Sequence, residues 1–116
     1  MKKPIPPDKI DAIIHERVRL AIVSALAVAA EMSFNELKTT LSLTDGNLSA
    51  HSRTLEDAGY IKIRKRFEGR RPLTTMRLSR KGRQAFGRYL DTLKRIVEQA
   101  SESMDEKGKK NGASER

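Results

Sequence analysis

Two groups of side chains in the middle of the chain have the chemistry to bind a nucleic acid. In the first group, the Asn47 amide can pair with adenine, and the Arg53 guanidinium can pair with guanine or a phosphate. Ser49 adds a short donor or acceptor, whereas Gly46 permits close approach to a backbone and Ala50 offers only a methyl group. The second group consists of cations around a glycine, namely Lys65, Arg66, Arg70 and Arg71.

A helix-turn-helix pattern over 33–58 would position the first group. Ser33 and Glu36 form a capping box at the start of one short helix, and 41–44 make the turn. Thr44 is the expected N-cap of a second helix over 45–58. Leu48 and Leu55 fix the core face of that helix, so the polar group lies on its exposed face.

A β-hairpin over 60–78 would position the second group. Residues 60–67 alternate like a strand, 68–72 contain the turn, and 73–78 return. The alternation directs Ile61 and Ile63 inward and leaves cations near the tip. Arginines there can clamp phosphates or enter a narrow minor groove.

Helices are also predicted on both sides of this unit. Residues 1–7 are an extended lead-in. Asp8 is the expected N-cap of the helix that follows, and the pattern does not decide whether that helix is broken near His15. A helix capped by Ser79 is expected to end near Ser101, before a disordered charged tail over 102–116. Apolar residues at helical spacing in the flanking helices could pack on the domain itself or on a second copy of the chain. The predicted dimer interface consists of Ile10, Ile13, Ile14, Tyr89, Leu90, Leu93, Ile96 and Val97.

The charge of the chain is concentrated in the hairpin and the helix after it. The formal net charge is +9, but 61–95 holds thirteen Lys or Arg against two acids, a local balance of +11. This asymmetry indicates a polyanionic partner. The chain has no cysteine, which excludes disulfides and thiolate metal sites, and no apolar run of the roughly 18 residues that a membrane span needs. We therefore expect a cytoplasmic protein without a membrane association.

The sequence contains no pattern typical of catalysis. It has neither a nucleophile elbow nor a phosphate-binding loop nor a paired-histidine metal motif, so no catalytic residue, metal or cofactor is predicted. His15 next to Glu16 is a weak metal pair without further ligands, and a structural role at a helix joint is favoured. His51 is expected to brace its helix by a hydrogen bond, with a position beside a DNA groove as the alternative.

Several segments resemble small prokaryotic winged-helix transcriptional regulators close to the MarR and ArsR families. The similar segments are 17–26, 34–38, 43–51, 55–61 and 75–86, of which Thr44–Ser49 and Gly82–Phe86 are the more specific. The resemblance implies a dimer that binds a pseudo-palindromic operator. The chain departs from the family pattern at Ser52, where a large apolar residue is usual, and at Ala50, where Arg or Lys is common.

These observations predict a mainly α fold with a small β-hairpin: a winged helix-turn-helix over 8–101 with an added C-terminal helix. The predicted function is sequence-specific binding of double-stranded DNA by a homodimeric transcriptional regulator. Two alternatives stay open, a protein-interaction module and a non-specific architectural DNA-binding module. The sequence shows no recognisable ligand pocket, and whether a small-molecule effector binds is left open.

Overall fold

Helices and one small antiparallel sheet make up residues 3–111, the part of the chain that the computed structural model describes, with side chains through residue 108. A 3-10 turn over Pro7–Lys9 comes first. The regular elements then follow in the order α1 Arg17–Ala29, β1 Glu31–Ser33, α2 Phe34–Leu41, α3 Asp45–Asp57, β2 Ile61–Glu68, β3 Arg71–Leu78 and α4 Arg80–Asn111. The predicted fold class, a mainly α winged helix-turn-helix with a small β-hairpin and an added C-terminal helix, is confirmed.

The N-terminal segment differs from the prediction. Asp8 lies inside the 3-10 turn and caps no α-helix, so its assignment as an N-cap is wrong. Asp11 instead folds the next residues into a turn, because its Oδ1 accepts hydrogen bonds from the backbone N–H groups of Ile13 and Ile14. The first α-helix begins only at Arg17, where the Glu16 carboxylate accepts from two backbone N–H groups as the N-cap.

The helix-turn-helix has the caps that the sequence predicts. Ser33 and Glu36 form the capping box of α2, with Ser33 Oγ 3.0 Å from the Glu36 backbone nitrogen. Thr44 Oγ1 accepts from the Asn47 backbone N–H at 3.0 Å and so caps α3. Lys38 Nζ lies 2.8 Å from Asp45 Oδ1 and ties the two helices together across the turn.

The sheet has three strands in the order β1-β3-β2, and its short edge strand was not predicted. Met32 of β1 and Ile63 of β2 both lie opposite Met76 of β3. The hairpin turn is tighter than the five-residue turn predicted over 68–72, because Glu68 still pairs with Arg71. Gly69 takes a φ of 65°, the left-handed conformation that this two-residue turn requires at its first position.

One apolar core joins the helices to the base of the hairpin. Ile22, Val23 and Leu26 of α1 are fully buried and form a cluster with apolar side chains from every other element. The helix α4 approaches the chain before β2 so closely that a Cβ on Gly82 would lie 2.0 Å from the Tyr60 carbonyl oxygen. Glycine at position 82 therefore permits the close packing of α4 against the base of the wing.

The last helix is longer than predicted. Ser79 Oγ accepts from the Gly82 backbone N–H at 2.9 Å, as expected for its cap, but α4 continues past Ser101 to Asn111. The prediction of a disordered tail is therefore wrong for 102–111, and 112–116 lie outside the described residues. Apolar residues at helical spacing continue to Met104, so the amphipathic pattern extends beyond the first charged residues of the tail.

Candidate nucleic-acid interface

The helix α3 presents a polar face to solvent. Leu48, Ser52 and Leu55 are its buried residues, as the sequence predicted. The opposite face carries the predicted binding residues, all of them exposed: Gly46, Asn47, Ser49, Ala50 and Arg53. Because most of them lie in the first half of the helix, its N-terminal half is free to approach a ligand.

Ser52 joins α3 to the wing. Its side chain is buried, and its hydroxyl donates a hydrogen bond to Met76 Sδ at 3.5 Å. The buried hydroxyl is thus satisfied by a partner on β3. This buried contact links α3 to β3 of the hairpin.

A second polar cluster joins α3 to the start of α1. Arg19 Nη1 lies 3.1 Å from His51 Nδ1, and Arg19 Nε donates to the Ile13 carbonyl at 2.6 Å. Glu16 Oε1 lies 3.5 Å from the same histidine nitrogen. The hydrogen bond from the Arg19 backbone N–H lowers the pKa of the Glu16 carboxyl, and the nearby His51 lowers it further. His51 therefore braces α3 against α1.

The wing carries its cations at the exposed end of the hairpin. Lys65, Arg70 and Arg71 are exposed, and Arg70 occupies the turn itself. Arg66 is also exposed, but its Nη2 lies 3.8 Å from Glu31 Oε2 on the edge strand. A half-exposed pair at that distance is weak, so Arg66 is held loosely and its guanidinium can exchange partners.

The structure brings three of the predicted binding residues to one groove, and the other predicted residues lie outside its lining. Ser49 and Arg53 of α3 line one wall, and Lys65 of β2 lines the other. The floor is formed by residues that pack the wing on the helix, among them Ser52 and Met76. The polar face of α3 and the inner face of the basic wing therefore point to the same side of the molecule.

Sequence reasoning missed one exposed residue in this region. Strand alternation places Phe67 on the same face as the inward residues Ile61 and Ile63, yet its side chain is 73% exposed. The alternation is correct, because all three lie on the same face of β2. The hairpin simply extends beyond the core, and only the register with Pro72 near the turn reveals how far.

The predicted dimer residues divide into buried and exposed sets. Ile14 and Tyr89 are 0% and 2% exposed in the core of the chain itself, so they offer no surface and their assignment is corrected. Tyr89 also shares a hydrogen bond of 2.7 Å with His15, which places that histidine at the helix joint. Ile10, Ile13, Leu93 and Ile96 are partly covered within the chain, whereas Leu90 and Val97 are exposed.

The described residues contain no candidate metal site, but they do contain an open cleft. Within 3–111 there is no group of three or more His, Cys, Asp or Glu side chains that could hold a metal ion. An open cleft separates the N-terminal segment from α4, and charges of both signs line it, including Lys3, Asp8, Asp91 and Arg95. None of the helices within the described range is long and apolar enough to span a membrane.

Comparison with known proteins identifies the family. Residues 18–97 match the model of the winged helix DNA-binding domain, and the chain belongs to this family of small winged-helix regulators. The fold and the family are those of transcriptional regulators.

Individual relatives support the same assignment. An uncharacterized protein of Methanocaldococcus jannaschii is 37% identical over 78 residues, which cover 67% of this chain and 85% of that protein. A transcriptional regulator homologue from Pyrococcus horikoshii OT3 is 31% identical with a TM-score of 0.74, over 78% of this chain and 89% of that one. The structure of MarR shares the fold at 18% identity, with a TM-score of 0.70 over 92% and 77% of the two chains. The resemblance to small winged-helix transcriptional regulators seen in the sequence is confirmed.

Proposed function

We propose that this protein is a homodimeric transcriptional regulator that binds a specific double-stranded DNA sequence. The observation that carries the proposal is the groove in which Ser49 and Arg53 of α3 lie across from Lys65 of the wing. A helix fits the major groove of B-DNA, and a neighbouring hairpin reaches the adjacent backbone or minor groove. The concentration of positive charge in the wing and α4 supports a polyanionic partner.

The exposed residues of α3 supply specificity in this proposal. Asn47 pairs with adenine, and Arg53 pairs with guanine or a phosphate. Ser49 adapts as donor or acceptor, and Ala50 offers a methyl group that suits contact with thymine. Gly46 leaves space for close approach, because nothing lies within 4 Å of where its Cβ would be.

The wing supplies affinity that depends little on sequence. Lys65, Arg66, Arg70 and Arg71 contact phosphates and release counterions as they do so. Arg66 gives up its 3.8 Å contact with Glu31 at little cost, because exposed pairs contribute about 0–1 kcal/mol.

The dimer would form through the exposed apolar residues of α4. Leu90, Val97 and Met104 are 48%, 60% and 72% exposed and are spaced seven residues apart, which places them on one stripe of the helix. A second copy of the chain covers this stripe in the proposal. Two-fold symmetry then predicts an inverted repeat whose half-sites lie about 10 base pairs apart.

Selection of bound duplexes from a random DNA pool at about physiological salt tests the proposal directly. We expect enrichment of an inverted repeat, since specific contacts survive salt that suppresses non-specific binding. Salt-sensitive binding without enrichment would instead support an architectural DNA-binding role. Absence of DNA binding even at low salt would support a protein-interaction module. Repeating the selection with cell metabolites present tests whether a small-molecule effector changes the outcome.

A further inference from the structure

The wing ends in an apolar pair that the chain leaves uncovered. Phe67 lies opposite Pro72 in the register of β2 and β3, and both side chains are exposed. On the same face of β2, Ile61 is 2% exposed and Ile63 is half-buried against the core. The inner face of the wing therefore begins as part of the core and ends as an apolar tip in solvent.

The position of this tip, rather than its exposure alone, calls for an explanation. A single exposed apolar residue such as Val28 is ordinary on a protein surface. Phe67, in contrast, is an aromatic ring on the face of the wing that also carries Lys65 and borders the groove beside α3. At about 3.3 Å per residue it lies about 13 Å beyond Ile63, away from the core.

The charges around the tip determine which kind of partner can bind there. Arg66, Arg70 and Arg71 are its near neighbours in the hairpin, against the single acid Glu68. A second wing or any basic protein surface would be repelled, whereas a polyanion would be attracted. An apolar ring framed by arginines is the arrangement with which proteins enter the minor groove of DNA and insert a wedge between base pairs.

We propose that Phe67, supported by Pro72, acts as a minor-groove wedge that partly unstacks one base step beside the α3 contact. This inference rests on the proposed DNA-binding function and adds a specificity-determining residue to it. The neighbouring arginines hold the flanking phosphates while the ring enters the step. The DNA bends away from the wing, toward the major groove.

The wedge has a consequence for sequence preference. Pyrimidine–purine steps such as TA and CA unstack more readily than other steps. The operator should therefore prefer such a step where the wing tip lands, although no side chain there reads the base edges. The preference arises from the deformability of the DNA step and not from hydrogen bonds to its base edges.

Two substitutions separate a wedge from a merely structural residue. Phe67→Leu keeps an apolar wedge but lowers strand propensity, whereas Phe67→Thr keeps strand propensity and removes the apolar bulk. The wedge predicts that the leucine variant resembles the wild type and the threonine variant does not. A residue that only stabilises the hairpin predicts the opposite order.

The measurement is the fluorescence of 2-aminopurine placed at the wing-contacted step of the selected operator, with affinity determined on the same duplex. We expect wild-type protein and Phe67→Leu to raise the fluorescence, because unstacking relieves quenching. Phe67→Thr should abolish the rise, lower affinity about tenfold on a duplex with a flexible step, and lose the step preference.

The outcomes also separate this inference from the proposed function. Specific binding by the wild type without any fluorescence rise, or an equal rise with Phe67→Thr, overturns the wedge and leaves the DNA-binding proposal intact. Failure of the wild type to select any duplex overturns both. A change in oligomeric state with Phe67→Thr in the absence of DNA would show that the tip contacts protein, and would also overturn the wedge.

Discussion

The Tyr60 hydroxyl donates a hydrogen bond of 2.6 Å to Asp11 Oδ2 and thereby joins the base of the wing to the N-terminal segment. The other oxygen of the same carboxylate holds the turn before α1. Tyr60 also lies against α4, since its carbonyl oxygen occupies the space that any side chain at position 82 would need. The wing therefore leaves the core from a point fixed by two separate parts of the chain.

The hydrogen bond between Tyr60 and Asp11 predicts that the Tyr60 hydroxyl titrates at an unusually high pH. Burial, the hydrogen bond to Asp11 and the negative charge of that carboxylate together raise the pKa of Tyr60 to about 12. A tyrosine pKa in an unfolded chain is about 10. Because the folded pKa is the higher one, the stabilisation is fully present below about pH 10 and is lost as the pH rises from about 10 toward 12.

Absorbance at 295 nm, followed during alkaline titration, measures the effect. Burial raises the pKa of Tyr89 as well, so we expect both tyrosines of the folded protein to form less phenolate near pH 10 than tyrosines of an unfolded chain. Tyr60→Phe should leave a single tyrosine titration, that of Tyr89. Asp11→Asn should move the pKa of Tyr60 toward its ordinary value. A native protein whose tyrosines both ionise at about pH 10 would contradict the assignment.

Much of the helix-turn-helix follows from local sequence signals. The Ser33 and Thr44 caps depend on residues three positions away, and the spacing of Leu48 and Leu55 determines which face of α3 is exposed. The exposure of Asn47 was predictable for the same reason. These signals act within one or two helical turns and need no knowledge of the tertiary fold.

The remaining features depend on contacts that the sequence does not display. The edge strand β1 is only three residues long and exists because Glu31–Ser33 pair with β3. The apolar spacing of α4 indicated a packing face but did not distinguish Tyr89, buried in its own chain, from the exposed Leu90. The pairing of Arg66 with Glu31 likewise requires the sheet order.

Removing the charges of the wing turn should weaken DNA binding without changing sequence preference. Arg70→Ala combined with Arg71→Ala is expected to reduce affinity for specific and random duplexes alike, because phosphate contacts carry no base information. The slope of log affinity against log salt should fall in magnitude by about 1 for each lost contact. Titrations at several salt concentrations measure that slope.

A matched control removes the same charge elsewhere. Lys94→Ala with Arg95→Ala takes two cations from exposed positions of α4, outside the proposed interface. Its salt slope should stay close to that of the wild type. Equal slopes for the two double variants would mean that the wing makes no phosphate contacts and that only net charge matters.

Asn47→Ala should change sequence preference instead. The loss of a bidentate contact with adenine is expected to cost about 1–3 kcal/mol on the best duplex and almost nothing on random DNA. The helix should be unaffected, because Thr44 caps it through the backbone N–H of residue 47 and not through the side chain. Asn35→Ala, at an exposed position in the first turn of α2, is the control. Equal losses on specific and random duplexes would exclude base reading by Asn47.

The apolar stripe of α4 gives a test of the dimer in which two valines are compared. Val97 is 60% exposed within the stripe, whereas Val28 is 90% exposed on α1 and outside it. Val97→Glu would place two buried charges in a symmetric interface, so it should raise the dimer dissociation constant at least about tenfold. Val28→Glu adds the same charge and should leave association unchanged. Sedimentation equilibrium distinguishes the two, and a dimer that survives Val97→Glu would mean that a different surface joins the protomers.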